Sequence, residues 1–116
     1  MKIKSNRFRE IVMSAKKYPD LQQFLAIYGI PEWIAEEVTD DDGAAVKMIT
    51  NIHRVTNMTP RELISAAGLN QSTFSRRFGI PIRTVQEWCG GRRQMPEYLK
   101  FMAAELLGLM GDVEIQ

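Results

Sequence analysis

The stretch at residues 68–93, GLNQSTFSRRFGIPIRTVQEWCGGRR, predicts two short helices, broken at FGIP and stopped at Gly90 and Gly91. Asn70 is the expected N-cap of the first, since its side chain can accept from an orphan backbone N–H. Phe74 and Phe78 fall one turn apart on that helix, and Ser75 is small enough for another helix to cross closely. Gly79 supplies the left-handed residue that ends it. Ile80 can plug the core from the turn, Pro81 starts the next helix, and Val85 and Trp88 form its buried i, i+3 pair. Neither helix is long enough to be stable in isolation. Both must lean on neighbours, and five arginines (Arg76, Arg77, Arg83, Arg92 and Arg93) cluster on and around them.

Supporting helices are legible on either side. Thr59-Pro60-Arg61-Glu62 has the spacing of a capping box, followed by an apolar face of Leu63, Ile64 and Ala67 and a stop at Gly68. A last helix, from about Pro96 to Leu109, carries Leu99, Met102, Ala103, Leu106 and Leu107 on one side, with Tyr98 and Phe101 widening the apolar surface. Upstream, Phe8, Ile11, Val12 and Ala15 recur at i, i+3, i+4 and i+7 between Asn6 and Lys17. A second helix from Pro19 or Asp20 presents Leu21, Phe24, Leu25 and Tyr28 and stops at Gly29. PEWIAEEV opens another at Pro31, and after the loop TDDDG a fourth runs through Val46, Ile49, Ile52 and Val55. No β-alternating run, heptad or low-complexity segment interrupts this pattern. The expected fold class is all-α.

The 116 residues, 45% hydrophobic and 25% charged, suit one domain or a small domain with an extension. No segment approaches the roughly 18 uninterrupted apolar residues of a membrane span, and the N-terminus has no export signal. A single cysteine, Cys89, cannot form an internal disulfide, which fits the cytoplasm. One Cys and one His do not supply a zinc site, and no cofactor or metal is expected. No nucleophile–base pair or phosphate-cradling glycine loop argues for an enzyme, so no catalytic residue is expected. His53 reads as a surface or half-buried helix residue. Net charge is only +1, but the signs are segregated: +5 over residues 1–18, −7 over residues 19–46 and +4 over residues 71–94. Local faces matter here, because screening confines such fields to about 10 Å.

Two helices joined through FGIP by a short glycine-containing turn match the spacing of a helix-turn-helix. Gln71, Phe74, Ser75, Gly79, Thr84, Val85, Trp88, Gly91-Arg92-Arg93 and Pro96 together resemble the Cro/C1 (XRE, lambda-repressor-like) helix-turn-helix family over residues 58–110. The resemblance implies a lambda-repressor-like bundle over residues 58–110, while the large apolar groups Phe8, Phe24, Tyr28 and Trp33 imply that residues 1–57, an N-terminal helical extension, pack on it or on a second subunit, with residues 111–116 left as a C-terminal tail. It implies double-stranded DNA as the partner of a homodimer. Ile82, Arg83, Gln86 and Glu87 would contact bases, and Gln71, Ser72, Arg76, Gly90, Arg92 and Arg93 would contact phosphates. Cys89 and Ile64 stand where many relatives carry an ion pair, a replacement by apolar contact that a core tolerates. The first half is similar to small helix-turn-helix proteins of Gram-positive bacteria and their mobile elements.

Alternatives accompany several of these readings. Arg83 and Glu87, at i, i+4, can pair with each other on a solvated face. Ile82 can fold into the core, and Cys89 can be packing or a redox sensor. The acidic segment 19–46 can bind a basic protein partner, which would make the chain an antitoxin-like or adaptor module instead of a sequence-specific regulator.

Overall fold

The spacing of Phe8, Ile11, Val12 and Ala15 becomes the buried face of helix α1 (Ser5–Lys17) in the computed structural model of the chain, which describes residues 1–116. The chain is all-helical but for one short parallel ladder, and it divides into two compact units, residues 1–57 with 110–116 and residues 58–109. No helix is long and apolar enough to cross a membrane.

In the first unit, β1 (Lys2–Ile3) precedes α1, followed by α2 (Leu21–Tyr28), α3 (Glu32–Glu37) and α4 (Asp42–Thr56). Helix α1 packs along α4, and α2 packs on both. The acids of the negative segment have structural work. Asp20 accepts from Gln23 N at 2.9 Å and Asp41 from Ala44 N at 3.2 Å, capping α2 and α4. Glu37 on α3 pairs with Arg7 at 3.1 Å and Lys4 at 3.5 Å, so the acidic stretch meets the basic start of the chain inside this unit. Arg7 also lies 4.9 Å over the Trp33 ring. Glu10 Oε2 accepts from Trp33 Nε1 at 2.9 Å and from Tyr28 Oη at 3.1 Å, and thereby ties α1 to both α2 and α3.

Three expectations change in this unit. His53 is buried: Phe24, with 0% exposure, lies 4.6 Å from its ring, and its Nε2 donates to the Tyr18 carbonyl at 2.9 Å. Orphan carbonyls at the end of a helix need donors, and His53 answers one from α4. Val46 is exposed, and Ala45 and Met48 take the core side instead, because α4 begins at Asp42 and its buried face also recruits small and flexible residues. The residues read as a tail, 111–116, form β2 (Glu114–Ile115), in register with Lys2–Ile3, and bury Val113 in the core of this unit, together with Met110, which was expected in the helix-turn-helix domain.

The second unit contains α5 (Pro60–Ala66), α6 (Gln71–Phe78), α7 (Ile82–Cys89) and α8 (Glu97–Leu106). Both α5 and α6 pack on α7 around Leu63, Phe74 and Val85, all fully buried. The capping box of α5 forms in both directions, Glu62 N to Thr59 Oγ1 at 3.1 Å and Thr59 N to Glu62 Oε1 at 3.0 Å. A second box, Asn70 with Thr73, starts α6. Gly79, at φ 65°, ends α6 in the left-handed region that a side chain would strain. Ser75 then closes the turn: its carbonyl accepts from Ile80 N at 3.0 Å, and its hydroxyl donates to the Ile80 carbonyl. On α8 only Ala103 and Ala104 are buried, whereas Tyr98, Met102 and Leu106 stand at 71%, 55% and 68% exposure. The expected apolar side is therefore split: small residues face inward, and a large apolar stripe at i, i+4, i+8 faces outward.

The α5 box carries an acid-sensitive prediction. Thr59→Ala should cost about 1 kcal/mol, the usual value of such a cap. Hydrogen bonds from Thr59 hold the Glu62 carboxyl below its ordinary value of 4.5. A depressed folded-state value means that this stabilisation is present above 4.5 and is lost as pH falls through the lower folded value. Urea unfolding of the unaltered chain and of Glu62→Ala, at neutral pH and again below the carboxylate range, should show the gap between them narrowing in acid, since the Thr59 backbone N–H that holds the carboxylate is the bond lost. A gap of constant size would remove Glu62 from the cap's energetics.

Candidate nucleic-acid interface

Helix α7 is oriented by its buried pair, Val85 at 0% and Trp88 at 6% exposure. Anchoring those two turns Ile82, Arg83 and Gln86 outward, as helical spacing requires. Ile82 is 42% exposed, so it is not folded into the core, and the Arg83 side chain is 89% exposed. Glu87, on the flank, keeps 25%.

The turn after α7 determines what Glu87 meets. Gly91 takes φ 76°, and the backbone doubles back so that Arg92 N and Arg93 N both donate to the Glu87 carbonyl, at 3.0 and 3.3 Å. This returns the Arg93 side chain to α7, where its Nε lies 3.6 Å from Glu87 Oε2 while Arg83 Nε lies 3.4 Å from Oε1. One carboxylate is thus shared between two guanidinium groups, and the trio keeps one net positive charge. The intrahelical pairing of Arg83 and Glu87 is present, extended by a third member six residues along the chain.

The other expected phosphate-contact residues lie in the turn after α7 and on α6. Gly90 and Arg92 are exposed in the turn itself. Gln71, half-buried at the start of α6, shares a cavity of about 230 Å³ with Arg61, Ile64 and Cys89, which brings the head of α6 beside the end of α7. Ser72 and Arg76 are exposed on α6 and are not drawn into the bridge. Arg61, singled out by no sequence motif beyond the capping box, adds a cation beside Gln71 and Cys89. Burial pushes the Cys89 thiol up, with Arg61 opposing weakly, so the sulfur stays protonated and a poor nucleophile.

Chemically, the face offers planar guanidinium donors and one amide to an anionic or hydrogen-bonding ligand. No three His, Cys, Asp or Glu side chains converge as a metal site would require. No protein-family model matches the chain, and neither the curated proteins nor the solved structures contain a match to it.

Proposed function

We propose that the chain is a sequence-specific DNA-binding regulator of the Cro/C1 (XRE) helix-turn-helix type, acting in the cytoplasm, with α7 entering the major groove. The observation that carries this reading is the outward row Ile82, Arg83 and Gln86 on a helix held by Val85 and Trp88 and flanked by Arg92 and Arg93. Arg83 can fork onto guanine O6 and N7, Gln86 onto adenine, and Ile82 can touch a thymine methyl. Arg92 and Arg93, with Gln71 and Ser72 at the head of α6, would take the phosphates on either side. The exposed stripe Tyr98, Met102 and Leu106 supports a homodimer, since a large apolar row on a helix is costly to leave in water. A two-fold dimer reads two mirrored half-sites about one helical turn apart.

The test is selection from random duplexes at two salt concentrations, followed by substitution. A mirrored motif should be enriched, and retention should fall steeply with salt. Arg83→Ala should cost about 1–3 kcal/mol on the selected site and relax one base preference, whereas Arg92→Ala should weaken all sequences and lower the salt slope by about 1. Equal effects of both substitutions on every duplex would remove base reading from Arg83. No salt-dependent retention would return weight to the adaptor reading. Against that rival, Asp20, Asp41 and Glu37 of its acidic segment are already engaged within the chain.

A further inference from the structure

We propose that Glu87 is a positioning residue for the two arginines, holding them back from random duplex, and that it does not itself read a base. This rests on the reading that α7 meets DNA. Both oxygens of the Glu87 carboxylate are committed, Oε1 toward Arg83 and Oε2 toward Arg93. Its carbonyl is committed as well, accepting from the amides of Arg92 and Arg93. The residue is therefore the joint between the helix and the arginine-bearing turn, and a cytosine N4 would have to compete with two guanidinium groups for its carboxylate.

Each arginine makes its closest approach to Glu87 through Nε. Bidentate contacts to guanine or phosphate can still be formed by the remaining guanidinium N–H groups. Arg83 and Arg93 side chains are 89% and 60% exposed, so the bridge sits in water, and surface pairs of this kind contribute little to stability. Its effect falls on binding. A phosphate approaching Arg93 on any sequence must compete with Glu87 and bear its repulsion. On the correct sequence the guanine contact of Arg83 offsets that cost, and the carboxylate then fixes the planar group from behind. Glu87 thereby suppresses indiscriminate binding more than specific binding, which is how a repulsive element sharpens selectivity.

E87Q keeps the shape and removes the charge. Its affinity for random duplex should rise several-fold, toward roughly tenfold, and the slope of log affinity against log salt should steepen by up to about 0.9. Affinity for the selected site should rise less, so the specificity ratio falls. In an Arg93→Ala background the gain from E87Q should shrink, because the partner it released is gone. Thermal melting should place E87Q within a few degrees of the unaltered chain, which assigns these changes to binding. Lower affinity for the selected site with random-duplex binding unchanged would overturn the proposal and make Glu87 a base reader. No change on either duplex, or a gain of equal size with and without Arg93, would overturn it too. Absence of salt-dependent retention by the unaltered protein would instead overturn the parent reading, and this one with it.

Discussion

Phe74→Ala is expected to destabilise the second unit by about 3–5 kcal/mol, the range for deleting a fully buried aromatic ring. Phe74 has 0% exposure and its ring lies 4.7 Å from that of Phe78, in a tilted arrangement that adds to simple burial. The ring sits on α6 where this helix packs on α7, so the cavity left by alanine would open under the helix that carries Arg83. A unit this small has on the order of 3–8 kcal/mol to lose. Urea unfolding followed by far-UV circular dichroism should show a lower midpoint with amplitude lost at 37 °C, and duplex retention should fall for every sequence alike. A cost below about 1 kcal/mol would mean that α7 is held by other contacts.

The second large effect belongs to Glu10. Glu10→Ala removes the acceptor for both Trp33 Nε1 and Tyr28 Oη, and Trp33 is 9% exposed, so its indole N–H has little access to water. An orphaned buried donor costs roughly 1–3 kcal/mol, and a pair sharing one carboxylate does not add simply. The same contacts give an alkaline signature. Burial first, and the Glu10 charge second, push the Tyr28 phenol well above its ordinary 10.0. A raised folded-state value means that this contribution is intact below 10 and is lost as pH rises beyond it. Urea midpoints at neutral and strongly alkaline pH should therefore converge for Tyr28→Phe and diverge for the unaltered chain. Glu10→Gln, which keeps an acceptor oxygen, should be milder than Glu10→Ala; equal losses would point to charge rather than hydrogen bonding.

What could be read from the residue order was what short-range chemistry punctuates. Thr59 with Glu62, Asn70, and Gly79 mark α5 and α6 because caps and left-handed stops act within four residues. The outward row of α7 was equally legible, since Val85 and Trp88 leave Ile82, Arg83 and Gln86 no other side. His53 was misread because its partner, the Tyr18 carbonyl, lies 35 residues away. The α8 stripe was misread because periodicity identifies an apolar row but not whether small residues elsewhere on the helix give the closer packing; here Ala103 and Ala104 do. The ladder of β1 and β2 spans two residues per strand, too few for alternation to register. Arg93 was assigned to phosphate alone, since nothing local says that the Gly91 turn returns it to Glu87.

That ladder also sets an order of events during synthesis. The second unit, 58–109, is one continuous segment and can fold once its own residues have left the ribosome. The first unit cannot be completed then, because Met110 and Val113 of its core and the partner strand of Lys2–Ile3 are translated after the second unit. At about 5–20 residues per second, the intervening segment imposes a delay of roughly 3–10 s. For that interval α1, α2 and α4 exist with one edge open, while the segment that separates the two parts of their unit is still being made.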